Sequence, residues 1–253
     1  MPVVYPRDEQ VRTTVRRGPD GLPAVLFDMD GTLVETEECW GAAMGELAAR
    51  LGGRLSAQAR ARTVGTSMPV ALGVLYADVG VRRTDEQQRG DARAIEDAVA
   101  RMVARGVTWR PGARELLAAV RAAKLRTALV TTTPRRLADL VLAHVERAFG
   151  GGGGGGGRPV FDVTVCGDEV PARKPDPAPY LQALAALGVT ADAAVVVEDS
   201  LAGVTAGLAA GAAVLGVPSL QPLPPLPGLV LRDSLCGIGV ADLDALVAAR
   251  AAA

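Results

Sequence analysis

The stretch that most limits how this chain can fold is Ala24-Val25-Leu26-Phe27-Asp28-Met29-Asp30-Gly31-Thr32-Leu33-Val34-Glu35. Four apolar residues run directly into an acid. So short a run, containing Val and Phe, reads as a buried strand. Strands of this kind belong to parallel sheets covered on both faces. Side chains alternate along a strand, so Asp28 and Asp30 would point the same way if the strand continued. Gly31 instead marks a sharp turn. The carboxyl end of a parallel strand is where open α/β sheets bind ligands. Two close carboxylates repel, and burying them is costly unless something compensates. A hard cation that prefers oxygen, such as Mg²⁺, would do so. The plainer alternative is a pair of turn aspartates before Gly-Thr, and the rest of the chain has to decide.

At 253 residues the chain fits one large domain or two small ones. Half of it is apolar, aromatics are scarce, and net charge is near zero with acids and bases interspersed. That argues against a nucleic-acid surface or a polybasic membrane patch. No apolar run is long enough to span a bilayer, and the charged N-terminal residues lack the apolar core of a signal peptide. Cys39, Cys166 and Cys236 lie far apart and form neither a metal-spaced cluster nor a disulfide framework, which makes the cytoplasm the default compartment. His144, the only histidine, falls on the apolar stripe of an expected helix and reads as a packing residue. Histidine zinc sites and Ser-His-Asp catalysis are thereby nearly eliminated.

Residues 1–23 read as a charged, proline-punctuated surface extension. Residues 36–108 show helical stripes over about 39–51, 56–63, 70–76 and 85–105, interrupted at Val64-Gly65-Thr66-Ser67-Met68-Pro69, and no strand is expected there. From Trp109 onward, strands and helices alternate. Strands are expected at Thr127–Thr131, Val160–Cys166, Ala194–Val197 and Ala213–Val217, with helices at about 135–149, 201–210 and 241–250, one opened by Pro111-Gly112 with Leu116, Leu117 and Val120 on one face, and one started by Pro177 and carrying Tyr180, Leu181 and Leu184. The glycine run Gly150–Gly157 follows a helix rather than a strand, so it fails the test of a phosphate loop and reads as a flexible, disordered linker. Pro218–Pro227 reads as an extended surface loop.

This alternation implies a parallel sheet with helices on both sides. Polar groups recur at the same end of successive strands: Asp28 and Asp30, then Thr131, then Glu198 and Asp199, with Lys174 ahead of a nearby helix. Carboxylates would hold Mg²⁺, which would hold a phosphate. The hydroxyl and the ammonium would neutralise phosphoryl oxygens. A carboxylate left free could attack phosphorus.

With those residues in view, the chain resembles the haloacid dehalogenase superfamily, in its phosphatase and phosphomutase branch. Asp28-Met29-Asp30-Gly31-Thr32-Leu33 is similar to the nucleophile motif, Thr131 to the second-motif hydroxyl, Lys174-Pro175-Asp176-Pro177 to the lysine motif and Glu198-Asp199-Ser200 to the acidic motif. The resemblance covers about residues 24–217. It implies an α/β fold: a Rossmann-like three-layer parallel-sheet core at 24–35 and 109–253, with an inserted helical cap at 36–108. It further implies Asp28 as nucleophile and Asp30 as acid/base. Thr131, Thr132 and Lys174 would bind the phosphoryl group, and cap residues Gly65, Thr66 and Ser67 would reach the substrate. Mg²⁺ would bind Asp28, the Asp30 backbone carbonyl, Asp199, and Glu198 directly or through water. The implied reaction is hydrolysis of a small phosphorylated metabolite. A phosphomutase is the nearest alternative, weakened because Trp40 stands where those relatives carry a histidine and because loop 64–69 has no arginine, although Arg60 and Arg62 are close. A phosphonatase would need a cap lysine, and none occurs in 36–108. A non-catalytic phosphate-binding module is the remaining alternative.

Overall fold

The computed structural model describes residues 23–150 and 159–251. The readings made for residues 1–22 and for the glycines from 151 onward lie outside the described residues.

The first strand, β1 (Ala24–Phe27), is fully buried. A turn leads to β2 (Val34–Glu35), and four helices follow: α1 (Glu37–Arg50), α2 (Ala57–Thr63), α3 (Met68–Val79) and α4 (Asp85–Val103). Thr84 caps α4 in a reciprocal capping box with Gln87. The chain returns through β3 (Thr108–Trp109), which pairs antiparallel with β2. Thr108 therefore corrects the expectation that 36–108 contains no strand. A two-residue ribbon carries no periodic signal; its pairing and the Glu35–Arg110 ion pair at 2.9 Å define it.

The core continues with α5 (Ala113–Ala122), β4 (Arg126–Val130), α6 (Arg135–Ala148), β5 (Val163–Val165), α7 (Ala178–Leu187), β6 (Ala194–Glu198), α8 (Leu201–Ala210), β7 (Ala213–Gly216), β8 (Leu229–Leu231) and α9 (Val240–Ala251). β5 is shorter than the Val160–Cys166 run expected for it. Arg121 Nη1 donates to the Pro159 and Val160 carbonyls, both at 2.6 Å, while Val160 N–H donates to Glu146 at 2.8 Å. Side chains thus satisfy backbone groups that a ladder would otherwise use. β8 was not anticipated, because the prolines before it mask a three-residue strand.

The six strands run in the order β5-β4-β1-β6-β7-β8, and each neighbouring pair in this sheet is parallel. β1 lies centrally, between β4 and β6. The period of two along it divides the core. Val25 and Phe27 pack with residues of α5, α6 and α9, whereas Ala24 and Leu26 pack with α7 and α8. Helices thus cover both faces of the sheet. Among the described residues no helix is long and apolar enough to cross a membrane.

Candidate active site

Register positions the site. Phe27 is level with Leu129 on β4 and with Val197 on β6. One residue further on, Asp28, Val130 and Glu198 stand side by side, and Lys174 Nζ bonds to all three. It donates to Asp28 Oδ1 at 2.7 Å, to the Val130 carbonyl at 2.7 Å and to Glu198 Oε1 at 2.6 Å. The Tyr180 ring lies 4.9 Å below the ammonium, and the Tyr180 hydroxyl donates to Glu198 Oε1 at 2.7 Å. Burial works against the Lys174 charge, but Asp28 and Glu198 outweigh it and hold the ammonium above the usual lysine range.

Glu198 is fully buried and its oxygens are occupied. Besides Lys174 and Tyr180 on Oε1, its Oε2 accepts from Asp199 N–H at 3.1 Å, Ser200 N–H at 3.3 Å and Ser200 Oγ at 3.1 Å. Ser200 Oγ also caps α8 through Gly203 N–H. A Cβ on Gly203 would stand 1.7 Å from the Glu198 carboxylate, so only glycine lets α8 approach so closely.

Asp28 and Asp30 have different surroundings. Asp28 Oδ1 accepts from Lys174, while Oδ2 accepts no hydrogen bond among the described residues. Burial pushes the Asp28 carboxyl well above the usual carboxylate range; Glu198 adds to the rise and Lys174 opposes it. Asp30 is held by three hydroxyls. Thr36 donates to Oδ1, and Thr131 (3.1 Å) and Thr133 (2.7 Å) donate to Oδ2. Here the Thr131 hydroxyl orients Asp30. Gly31, at φ +82°, makes the turn between these acids and Thr32, and a Cβ there would meet Asp199 Oδ2 at 2.2 Å.

Asp199 accepts from Thr32 Oγ1 at 3.3 Å and from the Ser219 hydroxyl. Burial, followed by the Glu198 charge, pushes it up to about 7. Asp28, Glu198 and Asp199 each offer an oxygen within 4.8 Å of the others. Three buried carboxylates, Asp28, Glu198 and Asp199, face one ammonium, and a divalent cation would balance the remaining acidic charge. The donor set therefore fits a hard metal ion. The Asp30 side chain is not in this group; its oxygens accept from the Thr36, Thr131 and Thr133 hydroxyls.

Above the strand ends lies a cavity of about 510 Å³, floored by Asp30, Lys174, Arg173, Thr132 and Thr133. Gly65, Thr66 and Ser67 line it from the helical side, together with Trp40. The helices rest on the core. Gln221 Nε2 donates to the Ala61 carbonyl at 2.6 Å, and Arg136 pairs with Glu96 and Asp97. Arg60 also lines the cavity, but its guanidinium is tied to the Glu37 carboxylate and carbonyl, both at 2.8 Å, and to Thr63 Oγ1 at 3.0 Å. Arg62 lines a separate small cavity beside Asp78.

A family model for haloacid dehalogenase-like hydrolases matches residues 22–211. The chain belongs to this family. It is 34% identical over 204 residues to the protein CbbY of Rhodobacter capsulatus, covering 78% of this chain and 86% of that protein. It is 33% identical over 227 residues to a phosphoglycolate phosphatase of Rhodospirillum rubrum, covering 85% and 89%. A crystal structure of CbbY from Rhodobacter sphaeroides in complex with xylulose-(1,5)bisphosphate superposes with a TM-score of 0.74 at 30% identity, over 88% of this chain and 99% of that one.

For a haloacid dehalogenase-like hydrolase, the residues chosen from sequence come together well. Asp28, Asp30, Thr131, Lys174, Glu198 and Asp199 meet at the ends of three adjacent strands. Sequence reasoning missed Thr36, Thr133, Tyr180 and Ser219. Thr133 carried a usable signal, since it lies two residues beyond Thr131. Ser219 carried none, because nothing in a proline-rich loop marks one serine as a partner of Asp199.

Proposed function

We propose that this chain is a Mg²⁺-dependent phosphatase of a small phosphorylated metabolite, acting through an aspartyl-phosphate on Asp28. The supporting observation is the contrast between the two aspartates: Asp28 keeps one oxygen free beside Lys174, while both Asp30 oxygens are held by hydroxyls. Asp28 Oδ2 attacks phosphorus, and the bond from phosphorus to the ester oxygen breaks. Asp30 gives its proton to that departing oxygen, then removes a proton from the water that cleaves the acyl phosphate, releasing inorganic phosphate. Lys174 neutralises phosphoryl charge and holds Asp28 in line. Asp28, Asp199 and the Asp30 carbonyl would hold the metal, which supplies charge neutralisation to the phosphoryl oxygens. Glu198 serves by fixing Lys174 and the first turn of α8.

We read residues 36–108 as a cap hinged on the β2–β3 ribbon, closing over the phosphoryl group to exclude water. The capture of Arg60 by Glu37 and the distance of Arg62 weigh against a mutase, which would need a free cationic group for a second phosphate. The separated thiols Cys39, Cys166 and Cys236 favour a reducing, cytoplasmic setting. Release of phosphate from acetyl phosphate and p-nitrophenyl phosphate, with and without Mg²⁺, tests the reading. Metal-dependent turnover is expected, and no turnover of either compound would refute it.

A further inference from the structure

The cations lining the cavity are Lys174, Arg60, Arg89 and Arg173, and they differ in how many donors remain uncommitted. Lys174 directs the three hydrogens of its ammonium to Asp28, the Val130 carbonyl and Glu198. Arg60 is held by Glu37 and Thr63. Arg89 is exposed on α4. Arg173 is half-buried and joined to the core through one nitrogen: its Nε donates to the Gly167 carbonyl at 2.7 Å. Neither Nη has an acceptor among the described residues. The two acids after Gly167 are directed elsewhere. Asp168 accepts the Arg135 backbone N–H, and Glu169 takes the Arg135 guanidinium on both oxygens, all at 2.8 Å.

The anchor of Arg173 is itself fixed. Gly167 N–H donates to the Thr133 carbonyl at 3.1 Å, and its backbone lies so close to Thr132 that a Cβ would stand 2.0 Å from the Thr132 carbonyl oxygen. Thr133 in turn donates its hydroxyl to Asp30 at 2.7 Å. Arg173 is thus linked through Gly167 to the residue that holds Asp30, the group assigned to the departing oxygen. Lys174 instead bonds to Asp28, the group assigned to phosphorus. A guanidinium fork already fixed at Nε offers its Nη pair with little ordering left to lose on binding.

We propose that Arg173 determines specificity by binding a carboxylate carried by the leaving group. This rests on the phosphatase reading and deepens it. The leaving group lies on the Asp30 side of the cavity, and the free Nη pair there matches the two oxygens of a carboxylate. One negative charge is what that side balances. Lys174 and Arg60 are engaged, and Asp30, Glu37 and Asp85 also line the cavity. A second phosphate would set about two charges against one guanidinium.

The test uses 3-phosphoglycerate, glycerol 3-phosphate and glycerol 1,3-bisphosphate, which share a three-carbon frame and differ in the group on C1. In Mg²⁺, 3-phosphoglycerate is expected to have kcat/KM roughly tenfold or more above the other two, mainly through KM. Arg173→Gln should raise the KM for 3-phosphoglycerate by about tenfold and change those for glycerol 3-phosphate and acetyl phosphate far less, while Arg173→Lys should keep part of the preference. Equal or better turnover of glycerol 3-phosphate or the bisphosphate would overturn the inference, as would a loss in Arg173→Gln that is the same for every substrate. A preference that survives Arg173→Gln and disappears in Arg89→Gln would assign the carboxylate to α4 and overturn it too. A second measurement stands apart from turnover: calorimetric binding of 3-phosphonopropionate and of propylphosphonate to the wild-type protein in Mg²⁺. Binding of the carboxylate compound roughly tenfold tighter, with the difference lost in Arg173→Gln, supports the assignment even where acetyl phosphate is not hydrolysed. Equal binding of the two, or binding of neither, refutes it even where it is.

Discussion

Asp28 and Glu198 stand at the same level on neighbouring parallel strands, and the single ammonium of Lys174 joins them at 2.7 and 2.6 Å. That arrangement follows from register alone: three strand ends lie abreast, and a lysine arriving from another segment closes them from one side. The same ammonium serves fold and chemistry, because it neutralises two buried acids before it meets any phosphoryl group.

Removing it should therefore be felt in stability as well as in rate. Lys174→Met keeps most of the side-chain volume but leaves Asp28 and Glu198 without their cation. Breaking a buried pair from one side costs about 3–5 kcal/mol. Urea unfolding near neutral pH should show a loss of that size, and the loss should shrink in acid, where the carboxyls can protonate.

Metal and pH should be linked with a definite sign. The folded protein raises Asp199 from 3.8 to about 7 and moves Asp28 in the same direction, chiefly by burial. The folded state thus binds these protons more tightly than the unfolded chain does. Without metal, stability conferred by these groups is present below the unfolded value and declines as pH rises through the window ending near 7. A divalent cation needs the deprotonated oxygens and relieves their repulsion. The rise in melting temperature on adding Mg²⁺ should be larger at about pH 8 than at about pH 5, as thermal unfolding at both values would show. A rise of equal size at both would place the ion elsewhere.

Thr133 offers a test of how Asp30 is aimed. Its hydroxyl donates to Asp30 Oδ2 at 2.7 Å, shorter than the Thr131 contact at 3.1 Å. Thr133→Val preserves shape and removes the donor. Hydrogen bonds to charged groups contribute about 1.5–3 kcal/mol, so kcat should fall roughly ten- to hundredfold. KM should change little, and Thr133→Ser should restore the rate.

Much of this was legible in the chain. The apolar run 24–27 announced a buried strand, and the acids after β1 and β6 announced where ligands would sit, because strand ends are fixed by burial patterns that a sequence displays. The lysine position was legible only through its motif. What escaped notice depended on contacts between distant segments. β2 and β3 are two residues each and exist through pairing; β5 is trimmed by Arg121 and Glu146; Ser219 reaches Asp199 from a proline-rich loop. The Thr131 hydroxyl donates to Asp30, a choice of rotamer that no spacing reveals.

The most direct measurement is rapid-quench labelling with radioactive acetyl phosphate in the presence of Mg²⁺, followed by peptide mapping. The account predicts an acid-stable, base-labile phosphoryl adduct on Asp28, absent from the Asp28→Asn protein, which should also have lost turnover. A label on any other residue, or an Asp28→Asn protein that still releases phosphate at the original rate, would contradict it.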